Sequence, residues 1–102
     1  MFVQIENDLS SGNIKLILPE EIRIANAEEF KMDLIVAIES EGSISIDGSK
    51  VTRIDTTAIQ LLNALSHECN EQGHPLKWEG ASNKLLSYVK VLGLQEALGL
   101  AE

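Results

Sequence analysis

The sequence predicts an α/β sandwich in which a mostly buried sheet is covered by packed helices, and three observations carry that prediction. Segments with period-two alternation, Ile14 to Leu18 and Ser43 to Asp47, are interleaved with segments whose apolar residues recur every three or four positions, the signatures of strands and of one-sided helices. A chain of 102 residues is expected to be a single domain over 1–102, large enough for one core without disulfides or metals to hold it. It has no internal repeat, linker or low-complexity stretch from which a second domain would be built.

Phe2 to Ile5 reads as a short edge strand. Asn7 to Gly12 supplies Asn, Asp, Ser, Ser and Gly, a turn-forming cluster that closes a hairpin. Ile14, Leu16 and Leu18 then alternate with Asn13, Lys15 and Ile17, a strand that Pro19 ends by removing a ladder donor. Glu20 to Ala25 is expected to be a connection. It leads into a helix whose start is marked by Asn26 with Glu29 three residues on, a capping-box arrangement. At ~100° per residue, Ala27, Phe30, Leu34, Ala37 and Ile38 make one stripe that should face the sheet. Met32 and Val36 fall on the other side with Ile35 between them, a candidate patch for weak homodimer formation or partner docking. This helix should end near Glu41-Gly42.

The next stretch organises the chain. Ser43 to Asp47 is a strand that buries Ile44 and Ile46, and a loop carries it into a helix. Asp55 or Thr56 is placed to cap that helix, and from Ala58 onward Leu61, Leu62, Leu65 and Cys69 share its inner face. The helix runs to about Gln72, with Gly73 as a left-handed C-cap. Away from the leucines, Thr57, Gln60, Ala64, His67 and Glu71 line one exposed ribbon. Two hydroxyls, Thr56 and Thr57, sit in the first turn, where free N–H groups and the positive end of the macrodipole favour added negative charge by roughly 0.3 to 1 kcal/mol. The same residues are ordinary cap formers, but the position accommodates a phosphate. Leu76 to Trp78 follows as a strand, with Trp78 expected to cover the sheet. Ser82 or Asn83 caps a helix with the stripe Leu85, Leu86, Val89 and Leu92, closed by Gly93 with Leu94 folding back. A last turn carries Ala97, Leu98 and Leu100.

Eight basic against sixteen acidic residues leave a net charge of −8, which argues against binding nucleic acid or an anionic membrane surface and suits a basic protein partner. Cys69 has no cysteine to pair with and lies on an apolar stripe, so a buried inert thiol is expected. Nothing resembles a signal peptide, and no apolar run approaches the ~20 residues of a membrane span. A cytoplasmic location follows as the expectation. There is no glycine-rich phosphate loop, no nucleophile elbow and no pair of histidines at metal spacing. His67, Cys69 and His74 lack a fourth ligand at zinc spacing. A small non-catalytic interaction module, with no cofactor and no metal, fits these features.

The chain resembles the STAS family, the domain of anti-sigma factor antagonists, of the cytosolic tails of sulfate transporters and of several bacterial regulatory assemblies. The matching residues are Ile46-Asp47 at a strand end, Val51, Ile54-Asp55-Thr56-Thr57-Ala58 against the family's Ile-Asp-Ser-Ser-Gly, Leu61 and Leu62, and Val91-Leu92-Gly93-Leu94 near the C-terminus. The resemblance implies a STAS-type fold, a small mixed β-sheet of about four to five strands packed against about four α-helices. It also implies a bacterial regulator that binds an anti-sigma factor or related kinase-like protein through Asp55, Thr56, Thr57, Gln60, Ala64 and His67. Thr57, matching the second serine of the motif, is its phosphorylation candidate, with Thr56 beside it.

One departure stands out. The family's Gly-x-Leu-Asp before the first helix places an Asp near the phosphorylated serine, and here that Asp has become Arg23. Its guanidinium is expected to pair with Asp55 or with a phosphate. The alternative implied by the same family is a constitutive STAS subunit of an ABC lipid-transport complex, docking the same helix face on its ATPase. The Asp55-Thr56 pair resembles such subunits.

Overall fold

The computed structural model describes residues 2–40 and 42–100. In chain order the elements are β1 (Gln4–Asn7), β2 (Ile14–Ile17), β3 (Glu21–Ile22), α1 (Ala27–Glu39), β4 (Ile44–Gly48), β5 (Arg53–Ile54), α2 (Thr56–Glu71), β6 (Lys77–Ala81), α3 (Asn83–Val91) and α4 (Gln95–Leu98). Among the described residues, four strands form one mixed sheet in the order β1-β2-β4-β6. The β1–β2 pair is antiparallel and the other two are parallel. The hairpin at Asn7 to Gly12 and the edge position of β1 are both observed.

Alternation in sequence becomes alternation in burial. Ile14, Leu16, Ile44 and Ile46 point into the core, while Lys15, Ile17, Ser45 and Asp47 stay half-buried on the other face. Apart from Ile17 that outer face is polar, with Lys15 bridged to Glu79 at 3.2 Å. The core between sheet and helices is built from Leu16, Ile46, Phe30, Leu62, Leu65 and Leu85, each fully buried. The crossovers α1 and α2 pack against each other. Trp78 is half-buried over the sheet, and its indole N–H donates to the Leu98 carbonyl at 2.7 Å, fastening the C-terminal turn. Ser82 caps α3 by accepting from the Leu85 N–H at 3.1 Å.

Four local expectations are corrected. β1 lies two residues later than Phe2–Ile5, because Val3 is occupied elsewhere: its N–H donates at 2.8 Å to the carboxylate of Asp33, a buried acid on α1. Phe2 meanwhile packs edge-on against Phe30 with ring centroids 6.2 Å apart. Asn26 does precede α1 but does not cap it. Its side-chain oxygen accepts from the Arg23 N–H at 3.2 Å, closing a 3-10 turn over Ile24–Asn26. The connection Glu20 to Ala25 contains a strand, β3, paired in parallel with β5. Finally, α1 ends at Glu39 with Ser40 as its C-cap, and of the expected end at Glu41-Gly42, Glu41 lies outside the described residues.

The end of α2 follows the sequence closely. Gly73 has φ +80°, and its N–H and that of His74 donate to the carbonyls of Asn70 and Cys69 at 3.1 and 3.0 Å, the pair of bonds that defines a Schellman motif. A Cβ at Gly73 would meet no atom within 4 Å, so the cost of Gly73→Ala is purely the left-handed backbone. We expect about 1 kcal/mol of destabilisation by chemical unfolding. An unchanged midpoint would mean that the left-handed turn is not retained in solution.

Candidate functional site

The two-residue strands β3 and β5 bring the segment before α1 beside the start of α2. Glu21 pairs with Arg53 and Ile22 with Ile54. The pairing is extended by Thr52 N–H to Glu20 O at 2.7 Å and Asp55 N–H to Ile22 O at 2.9 Å. Asp55 occupies the N-cap position of α2 with an extended backbone, φ −81° and ψ 156°, yet its side chain makes no cap bond. One carboxylate oxygen accepts from the Ile24 N–H at 2.7 Å, and the other lies 3.5 Å from Arg53 Nε. Asp55 therefore fastens the 3-10 turn to the helix start and leaves the first turn of α2 without a side-chain cap.

Thr56 and Thr57 are both exposed in that uncapped turn. They open onto a shallow cleft of about 550 Å³ between Ile24 and Arg53 on one side and Tyr88, Val91 and Leu92 on the other. Two of its aliphatic side chains are unusually open to solvent, Ile24 at 68% and Val91 at 83%. Further along α2, Gln60, Ala64, His67 and Glu71 are exposed as one ribbon, with His67 Nε2 3.6 Å from Glu71 Oε1. Ala64 lies between two shallow grooves, one of about 290 Å³ against α1 and one of about 570 Å³ toward Ala97.

Thr56, Thr57 and Asp55 are thus brought together at the cleft, and Gln60, Ala64 and His67 continue from it. Arg23 does not pair with Asp55. Its Nε lies 2.8 Å from Glu21 Oε1, and Arg53 is the arginine beside Asp55. The reason is strand geometry: residues i and i+2 share a face of an extended chain, so each arginine meets the acid two positions away. Leu61, expected inside with Leu62 and Leu65, is only half-buried, because it forms a wall of the groove against α1. Cys69 is buried, and loss of solvent raises its thiol pKa. Among the described residues, no three His, Cys, Asp or Glu side chains gather as a metal site, and no helix is long and apolar enough to cross a membrane.

Sequence reasoning missed Ile24, Arg53, Tyr88 and Val91. The i, i+2 spacing of Arg53 and Asp55 was an available signal, as was the position of Val91 off the inner stripe of α3. For Ile24 no local pattern existed.

The sequence model of the family described as "Mlab, STAS domain" matches residues 5–101. No curated protein matches the chain. The structure is similar to that of the anti-sigma factor antagonist SpoIIAA in its unphosphorylated form, with TM-score 0.72 and 16% identity over 92% of this chain and 83% of that one. It is also similar to part of the crystal structure of Mglu, with TM-score 0.60 and 19% identity over 74% of this chain and 19% of that chain. At these identities the likeness is one of fold.

Proposed function

The chain belongs to the STAS domain family, and from that premise we propose that it is a non-catalytic bacterial regulatory module of the anti-sigma factor antagonist type, acting in the cytoplasm. It binds an anti-sigma factor or related kinase-like regulator through the start and outer face of α2, and phosphorylation at Thr57 controls the affinity. The observation that carries this reading is the exposed Thr57 hydroxyl in a helix turn whose own cap carboxylate is turned away toward Ile24. That turn opens onto the cleft and continues into the Gln60, Ala64 and His67 ribbon. A phosphate there adds about −1.5 to −2 charges. The helix terminus and the nearby Arg53 accommodate it within the domain, whereas an apolar partner surface docked over the exposed Ile24 and Val91 opposes it. Phosphorylation is therefore expected to weaken binding, as in anti-sigma factor antagonists of this family.

Affinity capture from the native host, followed by titration of the captured partner, tests the reading. Thr57→Glu is expected to weaken binding tenfold or more, since ~1.4 kcal/mol is one decade and a misplaced interfacial charge costs at least that. Ala64→Arg should do the same while leaving the unfolding midpoint unchanged, because Ala64 is exposed and a good helix former is kept. Intact mass spectrometry of protein recovered with phosphatase inhibitors should show a phosphorylated form. Capture of an ATPase, with no phosphorylated form and normal binding by Thr57→Glu, would replace this reading with the constitutive transporter subunit.

A further inference from the structure

One face of α1 is left uncovered and is apolar. Met32, Ile35 and Val36 are 58%, 38% and 47% exposed, and Ile35 also walls the groove between α1 and α2 together with Ile38 and Leu61. The charges that frame this face follow a simple order. Lys31, Ile35 and Glu39 are spaced i, i+4, i+8, so they stand in line along the helix surface with the cation and the carboxylate at equal distances from Ile35. Among the described residues, neither Lys31 nor Glu39 takes part in an ion pair. Glu68 on α2 adds a second carboxylate along the groove.

A patch that is basic at one end, acidic at the other and apolar between is complementary to itself. When two copies meet about a two-fold axis through Ile35, their α1 helices run antiparallel and residue 35 − n faces residue 35 + n. Lys31 of each copy then lies opposite Glu39 of the other, with Glu68 within reach, and Met32 packs against Ile35 and Ile38. Glu28, one turn before Lys31, extends past Glu39 of the other copy, where that helix ends. We propose that this face of α1 is a homodimer interface, and that a second copy of the chain is its occupant. The net charge of −8 on each copy opposes association, and the patch is small beside stable interfaces, so the dimer is a weak one with Kd on the order of 100 μM.

Sedimentation equilibrium of the purified chain up to about 1 mM, at an ionic strength where the Debye length is about 8 Å, reads this directly. The wild type is expected to show a monomer–dimer equilibrium, and Ile35→Asp should leave only monomer. Lys31→Glu and Glu39→Lys should each weaken self-association at least tenfold. An equimolar mixture of those two variants should associate at least as well as wild type, because one copy then carries two acids and the other two cations. A wild type that stays monomeric at 1 mM overturns the proposal, and so does a dimer indifferent to all three substitutions. Neither Thr57 nor any partner protein enters the measurement, so this interface stands or falls apart from the proposed switch.

Discussion

Leu62→Ala is expected to destabilise the domain by about 2 to 5 kcal/mol, the combined loss of transfer energy and the cavity left behind. Leu62 has no exposed surface, and it sits on the inner face of α2 among Ile59, Leu65 and Ser66, all buried as well. The site has little means of collapsing, because α2 is held at both ends: by the pairing of β5 with β3 before it and by the Schellman turn after it. Each kcal/mol shifts the melting temperature of a domain this size by about 4 to 8 °C, so it should fall by roughly 10 to 40 °C. A melt within error of wild type would refute the register of α2, and with it the assignment of Gln60, Ala64 and His67 to the outer ribbon.

Asp55→Ala should cost about 1.5 kcal/mol, the low end for a hydrogen bond to a charged group, because the Ile24 N–H lies at the surface where water can replace the lost oxygen. The Ile24 N–H loses the carboxylate oxygen it donates to at 2.7 Å, and Arg53 loses its neighbouring carboxylate. The effect on binding should exceed the effect on stability, since the 3-10 turn carrying Ile24 would no longer be fixed beside Thr57 and the cleft would lose one wall. Asp55→Asn keeps an oxygen for the Ile24 N–H and should recover much of the stability. Hydrogen exchange at the Ile24 amide, compared across the three proteins, checks the mechanism: protection should be lost in the alanine variant and largely kept in the asparagine one. Equal protection in all three would mean that the carboxylate does not hold this turn.

The features legible in the sequence are those set by contacts between near neighbours. The alternation of Ser43 to Asp47, the inner face of α2, the Ser82 cap and the glycine-closed turns at Gly73 and Gly93 each depend on residues within a turn or two, and a one-dimensional pattern records them. The exposed side of α2 and the open apolar face of α1 followed from the same periodicity. What only the tertiary structure decided was the destination of polar groups that bond across the chain. Asp55 reaches 31 residues back to Ile24, Asp33 reaches 30 back to Val3, and in neither case does the local sequence name the partner. A two-residue strand such as β3 or β5 has no period to read and exists only because the other is there to pair with. The cleft at Thr57 is likewise assembled from the turn before α1, from β5, from α2 and from the end of α3. The sequence determined which helix turn holds the two hydroxyls. Folding decided what surrounds them, because a buried carboxylate or a free N–H takes whichever partner the packed chain brings within 3 Å rather than the one nearest in sequence.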